Sequence, residues 1–148
     1  MFVTLFYIFS LLLSYTDCTK FKVSNILLLR MSLLLLLIGL IEEKIYMNSF
    51  LMPIIILLFF ILLLIVKPTM ILGGGDIKYM MVVAFFLPYL LFPLFLIITG
   101  TLQSLSLLYT QQIKRRRVVA MVPIMFISVI LTQLIALFGY YPLYKYSF

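Results

Sequence analysis

Few residues in this chain are able to do chemistry. Histidine is absent, Cys18 is the lone cysteine, and four residues are acidic: Asp17, Glu42, Glu43 and Asp76. Without histidine there is no imidazole metal site, no Ser-His-Asp triad and no HExxH zinc site. One cysteine makes neither a disulfide framework nor a CxxC metal knuckle, and as a nucleophile it would have no imidazole base beside it. The two aspartates remain. Two carboxylates brought together in low dielectric share one proton, because both cannot ionise at close range. The ionised member takes a proton from water while the other protonates a carbonyl oxygen, which is aspartyl-protease chemistry and needs neither metal nor cofactor. Gly73, Gly74 and Gly75 stand directly before Asp76. The expectation is that Gly73 and Gly75 clear side chains from beside the carboxylate, so that a substrate backbone can approach and the chain can take a positive φ.

The elements that must position these groups follow from composition. Of 148 residues, 66% are hydrophobic and only 10% charged, with mean hydropathy +1.32. A soluble domain covers its surface with about 25% charge. The chain is therefore read as an integral membrane protein, which excludes a soluble enzyme and a nucleic-acid binder, and its net charge of +7 reports topology. Apolar runs cover 2–15, 25–41 (interrupted by Arg30), 50–66, 77–108 and 118–139, the fourth broken by Pro88 and Pro93. Eight of the eleven basic residues fall in 17–24, 67–78 and 109–117: Lys20, Lys22, Lys67, Lys78, Lys114, Arg115, Arg116 and Arg117. The segments 42–49 and 140–148 hold only Lys44 and Lys145. The positive-inside rule puts the first three segments in the cytoplasm. An even number of crossings must then lie within 77–108, and two short helices turning near Pro88-Tyr89 satisfy that.

The expected architecture is all-α: a single transmembrane domain over 1–148, a polytopic bundle of about six spans with both termini outside. Most tyrosines, among them Tyr15, Tyr46, Tyr79, Tyr89 and Tyr109, sit at the proposed membrane edges, where an amphipathic ring settles. Ser49 is expected to cap the third helix, with Pro53 in its first turn. The first run has no basic n-region and no small-residue cleavage site, so it is read as a span and not as a secretory leader. Arg30 is expected to snorkel to the headgroups, the sharper alternative being a partner for a site carboxylate. Lys114–Arg117 is read as an anchor on anionic lipid, and Glu42 and Glu43 as a solvated outer loop.

Gly73-Gly74-Gly75-Asp76-Ile77-Lys78 matches the GxGDxK signature of type IV prepilin peptidases. After Asp17, Val23-Ser24-Asn25 stands where that family has Ile-Pro-Asn, with Lys20 and Lys22 between as basic residues usually are there. The chain thus resembles that family over nearly its whole length. The resemblance implies Asp17 and Asp76 as the catalytic pair, and Gly73, Gly75, Lys78 and Asn25 as motif or substrate-binding residues. It implies no cofactor and no metal. Its substrates would be prepilin-like proteins, cut after a glycine between a short basic leader and a hydrophobic helix, at the cytoplasmic face of a bacterial or archaeal inner membrane. Ser24 departs from the usual proline, which loosens the turn into the second helix. The paired CxxC domain of the long, bifunctional members has no counterpart here, so the likeness is to the compact, peptidase-only kind and does not extend to N-methylation. Two other classes compete: a non-catalytic membrane component of a filament assembly system, and a small proton- or cation-conducting protein. A conductor would string its carboxylates along a pore, whereas both aspartates here fall at one membrane face.

Overall fold

In hydrocarbon every backbone N–H and C=O must find its partner within the segment, so apolar runs of this kind become helices. The computed structural model describes residues 1–20, 23–42, 47–66, 73–113 and 119–138. Among the described residues there are six helices and no strand: α1 (Phe2–Lys20), α2 (Asn25–Ile41), α3 (Met47–Val66), α4 (Gly74–Phe86), α5 (Phe92–Ile113) and α6 (Met121–Leu137). The run 77–108 is split as the charge distribution requires. Leu87, the residue before Pro88, is extended at φ −83°, ψ 143°, as a residue before proline prefers. The Leu91 N–H then closes a turn onto the Pro88 carbonyl at 2.9 Å. Pro93 sits in the first turn of α5, where a missing N–H costs no helical hydrogen bond.

Helices α1, α2, α4 and α6 form a ring in which each packs on its neighbours, with α3 laid on the outside of α4 and α5 on the outside of α6. Each buried face follows helical spacing. On α1 it is Phe2, Phe6, Ser10, Leu13 and Asp17. On α2 it is Leu28, Met31, Leu35 and Gly39. Helix α4, in the middle, is buried nearly all round. Contacts between helix ends set their directions. Phe86, at the end of α4, stacks on Phe6 at 3.7 Å and on Phe2 at 5.6 Å, near the start of α1. The Met1 amino group pairs with Glu42 at the end of α2, at 3.0 Å. Tyr7 donates its hydroxyl hydrogen to the Gln133 side chain late in α6. The end of α1 and the starts of α2, α4 and α6 therefore gather at the opposite end of the bundle.

The outer surfaces of α2 and α3 are almost entirely apolar; Leu29, Leu33, Leu37, Ile54, Leu58 and Leu62 are all exposed. Large contiguous apolar surface of this kind meets lipid or another protein. Two of the described helices, α1 over Phe2–Thr19 and α5 over Phe92–Gln112, are long and apolar enough to cross a bilayer by themselves. The apolar stretches Asn25–Ile41, Leu51–Leu63 and Met121–Leu137 are shorter.

Three local expectations are corrected. Helix α3 begins at Met47, so Ser49 lies within it and does not cap it. Pro53 lies inside α3, past the first turn, where it removes a backbone hydrogen bond. Glu42 holds the amino group of Met1 and the N–H of Phe2, at 3.0 and 3.3 Å, and is half-buried where a solvated loop residue was expected. The Lys114–Arg117 run, Glu43, Lys22, Lys44, Lys67, Lys145 and Tyr46 lie outside the described residues.

Candidate active site

Asp17 belongs to the buried stripe of α1, which aims its carboxylate into the bundle and leaves it 4% exposed. It sits in the last turn of its own helix, where the macrodipole opposes a negative charge. Helix α6 supplies the offset. The Val122 N–H, in the first turn of α6, donates to Asp17 Oδ2 at 3.1 Å. The N-cap of that helix is Ala120, which has no capping side chain, and Pro123 has no N–H to give. The Asp17 carboxylate thus takes the place of a cap, at the end of α6 that favours anions. Sequence reasoning missed Val122. The available signal was a helix start, Ala-Met-Val-Pro, that lacks any capping residue of its own.

Asp76 lies in the first turn of α4, ahead of the apolar run that begins at Ile77. Gly73 is the N-cap, in ordinary extended backbone at φ −66°, ψ 135°. None of Gly73, Gly74 and Gly75 takes a positive φ, so the expected conformational role is not the one they fill. Space is what they provide. A Cβ on Gly73 would stand 2.9 Å from Asp76 Oδ2, and one on Gly75 would stand 2.7 Å from the Cβ of Val23. A Cβ on Gly74 meets nothing within 4 Å. A Cβ on Gly75 would thus meet an atom fixed to the backbone, one on Gly73 would displace the Asp76 carboxylate, and one on Gly74 would be free. The room beside Gly75 is filled by the chain leading into α2.

The two carboxyls share one electrostatic environment. Asp76 is pushed up to about 6, first by burial and then by the negative charge of Asp17, against the opposing pull of a hydrogen bond with the Gly73 backbone. A carboxyl that keeps its proton into this range can serve as a general acid.

Lys78, two residues beyond Asp76 on α4, reaches the start of α2, where its Nζ donates to Asn25 Oδ1 at 3.2 Å. Ser24 precedes Asn25 as the α2 N-cap but makes no side-chain cap bond. The structure thus brings Asp17, Asn25, Gly73, Gly75, Asp76 and Lys78 to one end of the ring, on three different helices. Arg30 is not among them: it is exposed on α2 and pairs with neither aspartate. Cys18, the next residue after Asp17, faces outward. Among the described residues no cluster of His, Cys, Asp and Glu is able to hold a metal ion.

The model of the type IV leader peptidase family matches residues 4–137 of this chain. Neither a curated protein nor a solved structure matches it.

Proposed function

Because this chain belongs to the type IV leader peptidase family, a family of membrane-associated proteases, we propose that Asp17 and Asp76 are its catalytic pair and that it is an aspartyl endopeptidase of prepilin-like proteins. The observation that carries this reading is that α1 and α4 bring the chain's two aspartates to one end of the bundle, close enough for the charge of Asp17 to act on the carboxyl of Asp76. In the proposed reaction Asp17, ionised and held by the α6 amide, takes a proton from a water molecule. The water oxygen attacks the scissile carbonyl carbon, and Asp76 protonates the carbonyl oxygen. The C–N bond then breaks: the proton held on Asp17 passes to the leaving amine, and Asp76 takes a proton back from a hydroxyl of the gem-diol as the carboxyl product forms, which restores the pair. No covalent intermediate is needed. Lys78 and Asn25 brace the start of α4 against α2, and so hold Asp76 in place. The substrate has a short basic leader followed by a hydrophobic helix and is cut between them.

The same reading places the aspartate end of the ring at the cytoplasmic face, with six crossings, both termini outside, and 114–117 on anionic lipid. Reporter fusions after Lys114 should then report cytoplasm and fusions after Tyr146 the outside, following the distribution of basic residues. A cytoplasmic signal at Tyr146 means that the number of crossings is odd.

Co-expression with prepilin-like substrates, following loss of the leader by gel shift, tests the activity in cells. A substrate that keeps its leader in the presence of the intact chain contradicts it.

The pH dependence follows from Asp76. Its proton is present below about 6 and is lost as pH rises through that value. The alkaline limb of kcat/KM, which reports the free enzyme, should fall near pH 6. A bound chain that shields Asp76 from water pushes its pKa further up, so the limb in kcat should lie at higher pH. Initial rates across a pH series check both, and an activity flat from pH 5 to 8 is incompatible with a proton held on this pair.

A further inference from the structure

Helices α2 and α3 both rest on α4 but stand apart from one another. Between them is a cavity of about 310 Å³ that runs along α4. Its floor is one face of α4, where Lys78, Met81 and Phe85 follow each other at helical spacing. Leu28 and Leu36 of α2 form one wall, and Ile54 of α3 belongs to the other. We propose that this groove seats the apolar helix that follows the scissile bond of the substrate, so that the bond itself is delivered to Asp17 and Asp76. The proposal rests on the protease reading and adds to it the place and orientation of the substrate.

Three observations support a helix as the occupant. The first is continuity with the site. Lys78, at one end of the groove, lies two residues after Asp76 at the same end of α4 but on another face of it, and Leu28 lies one turn beyond Asn25, which holds Lys78. From Lys78 to Phe85 the groove descends about 10 Å, at 1.5 Å per residue. In this proposal a chain leaving the aspartates passes over the start of α4 to enter it. The second is polarity. Among the described residues of the lining Lys78 is the one charged side chain and sits at the site end, while nearly all the rest is apolar. An ammonium has three donors, and Asn25 takes one of them, which leaves Lys78 able to meet backbone carbonyls or a carboxylate where the docked chain emerges. The third is shape. Floor and α2 wall are both helix faces with side chains three or four residues apart, which receive the ridges of another helix. Both α2 and α3 carry exposed leucines and isoleucines, and in this proposal a substrate helix already in the membrane enters laterally between them.

The test uses the full chain with Cys18→Ala, which leaves it free of native cysteine, carrying Leu36→Cys, and with Asp76→Asn to keep substrate uncut. The probe is a synthetic chain with a basic leader, a glycine at the cut and an apolar helix of roughly 20 residues. A cysteine is walked along that helix, and both are reconstituted in vesicles of phosphatidylethanolamine and phosphatidylglycerol. Cross-links to position 36 should recur every three or four residues of the probe. In the active chain, Met81→Trp fills the groove and should raise KM about tenfold with kcat and the pH profile little changed. Cross-links that form instead with Ile97→Cys on the outer face of α5, or a groove that retains phosphatidylglycerol in native mass spectrometry and yields no probe adduct, overturn the proposal. Periodic cross-links to position 36 without cleavage by the active chain would leave the groove standing and remove the protease reading. Cleavage with cross-links elsewhere would do the reverse.

Discussion

Asp17→Asn and Asp76→Asn should each lower leader cleavage by about a thousandfold or more while leaving the chain folded and inserted. Asparagine keeps the size and polarity of aspartate but can neither take a proton from water nor pass one to a carbonyl oxygen. At position 17 it can still accept the Val122 N–H through its amide oxygen, so the start of α6 remains capped. At position 76 it fits the space that the missing Cβ of Gly73 leaves. Loss of activity would then reflect loss of proton transfer and not of structure. The double variant should be scarcely worse than either single one, because the members of a dyad act as a unit. Cys18→Ala, which changes an outward-facing side chain, should keep most of the activity. The check is cleavage rate per folded protein, with unfolding temperature in detergent as the control.

The next largest effect should come from a single methyl group. Gly75→Ala puts a Cβ 2.7 Å from the Cβ of Val23, an atom fixed to the backbone that cannot swing away. The start of α4 must separate from the chain before α2, and overpacking of this kind costs about 1–3 kcal/mol. The same displacement carries Asp76 and Lys78 with it, so cleavage should fall by more than about tenfold. Gly74→Ala serves as the matched control. Its Cβ meets nothing and the position is helical, so stability should hold or rise slightly. A second-site change discriminates further. Val23→Gly removes the opposing Cβ and should restore activity to Gly75→Ala, whereas Val23→Ala keeps that atom and should not. Unfolding temperatures and cleavage rates of the four variants decide the matter. Equal loss in Gly74→Ala and Gly75→Ala would show that flexibility, and not the contact with Val23, is what the motif requires.

Much of this was legible because lipid simplifies the problem. With no histidine, one cysteine and two aspartates, chemistry had few candidates. The break in 77–108 was legible from the basic segments on either side, since an odd number of crossings there would have put one of them outside. What escaped detection was contact between distant segments. No local pattern shows that Val122 donates to a residue near the other end of the chain, or that Glu42 holds the amino group of Met1. The glycines were given two reasons, clearance beside Asp76 and a positive φ; Gly73 does leave room for the Asp76 carboxylate, but no positive φ is used, and Gly75 makes room for Val23 instead. Ser49 was read as a cap from residue type alone, and α3 starts two residues earlier.

The central claim is that this chain itself cuts, with its two aspartates. The most direct measurement takes purified protein in lipid vesicles, with a purified prepilin-like substrate and no other protein, and reads the product masses. The intact chain should convert the substrate into two fragments that differ from it by the mass of one water. The Asp17→Asn and Asp76→Asn chains should leave it whole. An uncut substrate with the intact chain, or the same two fragments from either asparagine variant, would contradict the account.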